Sequence, residues 1–237
     1  MRHSLMPRFL LLVSSLMSTQ LLPAQPSDLK QRVEPFNNEN EIVYHLNQQN
    51  EKEGPSFIRN KQNHNLWLKG SYLKNKKVGN WYYYNEKSQL EMCYNFDQSR
   101  LIFVDSTIYN NVKINITAAN QDQSKVQVPI LLWPKELFID EVAHNLLKTL
   151  PGEQIPPGDL PLQIKVVIDE SGKPAYFVHY KFANSNLVEE PLALTNKFEW
   201  IPAKTKTQNI PSEYTLYITL KNDDASQPNF KRFRWND

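Results

Sequence analysis

The sequence predicts an α+β protein: an antiparallel β-meander, then a second region ordered helix, strand, strand, helix, strand. Three observations predict it. First, "LWLKGSYL", "NWYYYN", "LEMCYNFD", "RLIFVDSTIY" and "VKINIT" are short, rich in aromatic and β-branched residues, and split by the turn-forming "KNKKVG", "EKS" and "DQS". Second, "PKELFIDEVAHNLLKTLPG" places Ile139, Val142, Ala143, Leu146, Leu147 and Leu150 on one helical face, opposite Asp140, Glu141, His144 and Lys148. Third, "LPLQIKVVIDESGKPAYFVHYKF" alternates apolar and other residues on both sides of a turn containing Gly172.

The elements follow in order. Residues 1–24 read as a secretory signal peptide: Arg2 and Arg8 precede an apolar run from Phe9 to about Leu22, with the small Ala24 before the polarity changes. That run holds Ser14, Ser15, Ser18, Thr19 and Gln20 and falls short of the roughly 20 apolar residues of a membrane span, so no retained membrane helix is expected. Residues 25–55 read as a polar lead-in rich in Asn, Gln and Glu, where Ile42, Val43, Tyr44 and Leu46 suggest at most one short helix. The meander covers 56–118. In it Leu90, Met92, Tyr94 and Phe96 alternate with Glu91, Cys93, Asn95 and Asp97, as in a half-buried strand. The weakly apolar 119–128 is a linker, and the second region covers 129–222. Within it "NSNLVEEPLALTNKF" is expected to be a second helix, with Asn186 and Glu189 spaced like a capping box. "EYTLYITLK" closes the region as a strand, with Tyr214, Leu216, Ile218 and Leu220 on one face. The tail 223–237 alternates Phe230, Phe233 and Trp235 with Lys231, Arg232 and Arg234; it either recognises a partner or packs back as a strand.

Charge bears on partners. The formal net charge of +2 falls to zero once residues 1–24 are removed, leaving 25 basic against 25 acidic residues. Nucleic acid is therefore not an expected partner, although Lys74, Lys76 and Lys77 stand beside Trp81 and a run of tyrosines. Cys93 is the only cysteine, so no intrachain disulfide forms; it reads as a small hydrophobe, with a redox or intermolecular thiol as the alternative. His3 leaves with the signal, and His45, His64, His144 and His179 show no metal-binding spacing. The acid pairs Glu189–Glu190 and Asp223–Asp224 are adjacent in sequence, which turns their side chains apart on a regular element. No catalytic residue, metal or cofactor is expected.

Two resemblances add to this reading. Gly70, Tyr72, Asn75, Lys76, Lys77, Gly79, Trp81, Tyr83 and Tyr84 resemble a MORN-type repeat of bacterial exported proteins, over about 66–104; "YNFDQSRLIFVD" matches its length and turn but lacks the Gly-x-Trp element. Gly79 would serve a tight turn where a side chain would clash. "LWP" before a helix, the long hairpin, and Phe198, Trp200, Pro202, Ala203 and Lys204 before the last strand resemble a TonB carboxy-terminal domain, over about 129–222. That resemblance implies two helices on a three-stranded antiparallel sheet, and partner binding by strand addition at a sheet edge. The implied partner-binding residues are Tyr214, Leu216, Ile218, Leu220, Trp200 and Lys204, and the partner is a protein, such as an envelope or outer-membrane protein. With neither a membrane helix nor a long spacer read from the sequence, only the binding mode carries over, not energy transduction. The expected function is thus a non-catalytic protein-binding module of the Gram-negative envelope, periplasmic, outer-membrane-associated or secreted. Two alternatives stay open: a carbohydrate or peptidoglycan binder using an aromatic face of Trp67, Trp81, Tyr82 and Tyr84, and a structural component of an envelope assembly.

Overall fold

Asparagine organises the first half of the chain. A computed structural model describes residues 29–116, 126–149, 158–181, 187–194, 198–222 and 233–234; the expected signal peptide and most of the tail lie outside them. The strands β1 (Lys30–Pro35), β2 (Asn40–Leu46), β3 (Gly54–Asn60), β4 (Leu66–Leu73), β5 (Lys76–Tyr84), β6 (Leu90–Asn95) and β7 (Arg100–Val104) form one antiparallel sheet in sequence order. Several of its turns begin with an Asn whose Oδ1 accepts backbone N–H groups two to four residues on: Asn37, Asn47, Asn60, Asn85 and Asn95 all do this. The polar lead-in expected over 25–55, with at most a short helix, is corrected accordingly. Asn37 and Asn47 open turns, Asn40 begins β2, and the apolar group lies in β2, with Ile42 packed against the core and Val43 fully buried.

A short 3-10 turn, Ser106–Tyr109, leads to β8 (Val112–Ile116). The second region holds β9 (Ile130–Leu131), α1 (Lys135–Thr149), β10 (Gly158–Ile168), β11 (Pro174–Tyr180), β12 (Val188–Pro191), β13 (Trp200–Ile201), β14 (Ala203–Lys204), β15 (Asn209–Ile210), β16 (Ser212–Asn222) and β17 (Phe233–Arg234). A six-stranded sheet runs β12-β11-β10-β16-β17, with β8 also paired to β16. The expected two helices on a three-stranded sheet are overturned: the described structure is mostly strand, and α1 is its only α-helix. Where the second helix was expected, β12 pairs with β11, Glu189 opposite His179 and Pro191 opposite Phe177. Val188 packs against the core while Leu187 stays exposed, a period of two that a helical reading of the leucines missed. Of the tail, Phe233 pairs with Leu220 and Arg234 with Thr219.

Helix α1 joins the two sheets. Phe138, Ile139, Val142 and Leu146 pack on the inward face of the six-stranded sheet, against Leu162, Ile164, Val166, Tyr176, Val178 and Leu216. Leu137 turns the other way, with Ile130 and Leu132, onto Ile58, Leu68, Trp81, Tyr83, Met92 and Tyr94 of the seven-stranded sheet. Trp133 touches both clusters. β8, expected inside the meander, instead pairs with β16, Val112 opposite Leu216 and Ile116 opposite Ser212.

Candidate functional site

The residues expected to form a docking edge do not lie on one. Strand β16 is bordered by β10 along its whole length, and on its other side by β8 over Ser212–Leu216 and by β17 at Thr219 and Leu220. Its ladder groups are already matched there, which removes the free edge that strand addition requires. Tyr214, Leu216 and Ile218 are buried in the core. Trp200 is buried too, donating from Nε1 to the Tyr176 hydroxyl at 3.0 Å and meeting Phe138 and Tyr214 edge to face. Lys204 is exposed, but its backbone exchanges two hydrogen bonds with Gln127.

The four rings of the alternative aromatic face do not share a surface. Trp81 is 2% exposed. Trp67, in a register shift of β4, packs against the same core and donates to Asn40 Oδ1 at 2.8 Å. Tyr82 and Tyr84 are half-buried under the Lys69 ammonium, 5.4 and 5.7 Å from their ring centres. On β5, Tyr82 alternates with Trp81 and Tyr83, so it stands on the other face of the sheet.

An open edge lies elsewhere. Strand β7 ends the seven-stranded sheet with β6 as its one neighbour among the described residues. Its outward groups include Ile102, 46% exposed, and Phe103, 44% exposed. A register shift against Cys93 and Tyr94 puts Ile102 opposite no β6 residue, which breaks the alternation and turns both apolar side chains to solvent. The N–H of Asp105 bonds back to the Glu91 carbonyl at 2.7 Å, so by antiparallel alternation Val104 presents its own N–H and C=O away from β6.

Two concavities bring titratable groups together with aromatic rings. The first is small, about 20 Å³, room for one water, and is lined by Tyr83, Glu91, Met92, Ile108, Tyr109, Leu131, Trp133, Lys135 and Tyr214. Glu91 is the extra residue where β6 slips against Tyr83 and Tyr84, and the slip turns a carboxylate inward that strict alternation places outside. Desolvation, then the Glu136 carboxylate, push its pKa up to about 7. The Tyr83 hydroxyl and the Trp133 Nε1, both in this lining, are buried without a hydrogen-bond partner.

The second is a basin of about 510 Å³ lined by Lys52, Tyr72, Asn75, Lys76, Lys77, Phe96 and Glu199. Here the stretch that the sequence singled out finds its geometry. Lys74 and Asn75 both have positive φ, the two-residue turn of a tight hairpin. Asn75 grips Lys52 twice, donating N–H to its carbonyl at 2.9 Å and accepting its N–H on Oδ1 at 2.8 Å. Lys77, mostly buried, lies over Trp81 and Phe96 and pairs with Glu199 at 2.9 Å. Gly79 has φ +62° with open space where a side chain would begin, so its conformation, not a clash, requires glycine; the clash is at Gly70.

Other residues weighed in the sequence resolve into structural roles. Glu189 Oε2 lies 2.5 Å from His179 Nε2, while Glu190 accepts from the Tyr180 hydroxyl at 2.9 Å, so the two acids face different partners. Cys93 is buried, and burial raises its pKa. Among the described residues no group of His, Cys, Asp or Glu is placed to hold a metal ion, and no helix is long and apolar enough to cross a membrane. No family model, no curated protein and no solved structure matches the chain.

Proposed function

We propose that this chain is a non-catalytic protein-binding module of the cell envelope that takes a partner segment by strand addition on the β7 edge. The observation that carries this reading is the pairing of unmatched backbone with exposed Ile102 and Phe103 at the end of a seven-stranded sheet. Backbone donors and acceptors supply affinity in such a mode, and pockets for alternate side chains supply specificity, so no reactive side chain is needed. Edge strands elsewhere carry charge or proline that discourages pairing: β1 reads "KQRVEP" and β12 "VEEP". The leader-like residues 1–24 support an exported setting.

The test is a photocrosslinking residue placed in turn at Arg100, Ile102 and Val104, with envelope extract as the source of partners. Strand addition predicts that the crosslinked partner residues advance along one extended segment as the probe moves along β7. It also predicts that Ile102→Lys with Phe103→Lys, both on solvent-facing side chains, abolishes capture while circular dichroism stays unchanged. Crosslinks scattered over unrelated surfaces, or capture unaffected by the double variant, would sink the reading.

A further inference from the structure

We propose that the basin between the β4–β5 turn and Glu199 binds a small multivalent anion bearing carboxylate or phosphate groups. It uses none of the β7 residues and does not depend on strand addition.

Three lysines, Lys52, Lys76 and Lys77, and one acid, Glu199, line a concavity large enough for a small molecule. Glu199 already occupies Lys77, and so demonstrates the kind of group the basin accepts. Lys52 has no carboxylate within ion-pairing distance among the described residues. Its ammonium instead lies over two rings, 4.8 Å from the centre of Tyr44 and 5.3 Å from that of Tyr72. A ring face orients a cation without supplying an opposing formal charge, so an incoming anion does not have to displace a carboxylate from Lys52. Its backbone is fixed by the two hydrogen bonds to Asn75, which sets Lys52 at a constant distance from Lys76 and Lys77 on the same hairpin. The two ring contacts hold the ammonium end, so the side chain gives up less freedom on binding than a free surface lysine would. Phe96 and Tyr72 form an apolar wall that thins the water around an incoming anion and strengthens each charge contact. The Tyr72 hydroxyl adds no opposing charge, because burial and the nearby Glu199 hold its pKa up at about 12.

The experiment is a titration of the 15N-labelled chain with citrate, inorganic phosphate and sodium chloride at matched ionic strength. The site predicts saturable shifts of the Lys52, Asn75, Lys76 and Lys77 amides with citrate, phosphate or both, and none with chloride. Citrate alone identifies a carboxylate ligand, phosphate alone a phosphate ligand, and both a site that reads charge. Lys52→Met and, independently, the exposed Lys76→Met should each weaken binding about tenfold, the scale of one lost charged contact. Lys69→Met, on the opposite face over Tyr82, should leave it unchanged. Equal shifts with chloride, no saturable shift with either anion, or native affinity in both basin variants would overturn the proposal.

Discussion

The Trp81 indole lies on the backbone of Gly70, so closely that a Cβ at position 70 would stand 2.2 Å from Trp81 Cδ2. Three residues of β5, Gly79 to Trp81, stand against Gly70 alone in the β4–β5 ladder, and this surplus bends the strand until the ring crosses its neighbour. The ring also donates from Nε1 to the Ser71 carbonyl at 3.2 Å. Gly70→Ala should therefore cost about 2–3 kcal/mol by overpacking against a ring that the core holds in place. Gly79→Ala meets no atom and should cost only about 1 kcal/mol, the strain of a left-handed backbone. Thermal denaturation checks both, with melting temperatures lowered by roughly 2–4 °C per kcal/mol in a chain of this size and the Gly70 variant clearly the lower.

Glu91 makes stability depend on pH near neutrality. Its folded pKa of about 7 lies above its ordinary value of 4.5. Between those values the folded chain holds a proton that the unfolded chain has released, so this group's contribution to stability falls as pH rises and is lowest above about 7. Below 4.5 both states are protonated and the penalty is absent. Glu136 on α1, itself raised chiefly by desolvation, acts in the same direction, while Lys135 on α1 opposes it and Asp105 at the 3-10 cap adds to it. Glu91→Gln should stabilise the chain at pH 8 by about 2 kcal/mol, a figure already reduced for solvent screening, and by little at pH 4. Urea unfolding at the two pH values measures the difference; an equal effect at both would mean that the change in stability does not come from the charge of Glu91.

What the sequence made legible was local. Hairpins announced themselves through Asn, Gly and short apolar runs because a two-strand turn is decided by neighbouring residues, and α1 through its apolar spacing. The misreadings involve partners far along the chain. The stretch "NSNLVEEPLALTNKF" carries leucines and a capping-box spacing, but the conformation of Val188 to Pro191 within it is set by β11. Residues 112–116 look like one more strand of the meander, and only their pairing with Ser212–Leu216, about a hundred residues on, removes the free edge of β16. Register shifts are equally invisible to a period-of-two pattern, and they place Trp67 and Glu91 on the inner side and Ile102 outside. Which strand ends a sheet is a property of topology, so β7 could be recognised as a strand but not as an edge.

Leu137 tests whether the two sheets unfold together. It sits fully buried in the cluster between α1 and the seven-stranded sheet, while its neighbour Phe138 is fully buried against the other sheet. Leu137→Ala should cost about 2–5 kcal/mol through the cavity it leaves. If the cluster couples the sheets, far-ultraviolet circular dichroism and tryptophan fluorescence should report one coincident transition in both variant and parent. Two separated transitions in the parent chain would mean that the sheets unfold independently.

Asn75 separates the turn from the contact that the turn makes. Its φ of 67° is one that asparagine and glycine adopt readily, and its Oδ1 accepts the Lys52 N–H. Asn75→Gly keeps the backbone and deletes the side-chain hydrogen bond, so it should cost about 1 kcal/mol. Asn75→Ala deletes the same bond and adds left-handed strain of about 1 kcal/mol, so it should be roughly twice as destabilising. Both variants loosen Lys52 equally, and both should show the same faster hydrogen exchange at the Lys52 amide despite their different melting temperatures. A difference in exchange that tracks overall stability instead would show that Lys52 is held by the fold at large, not by the side chain of Asn75.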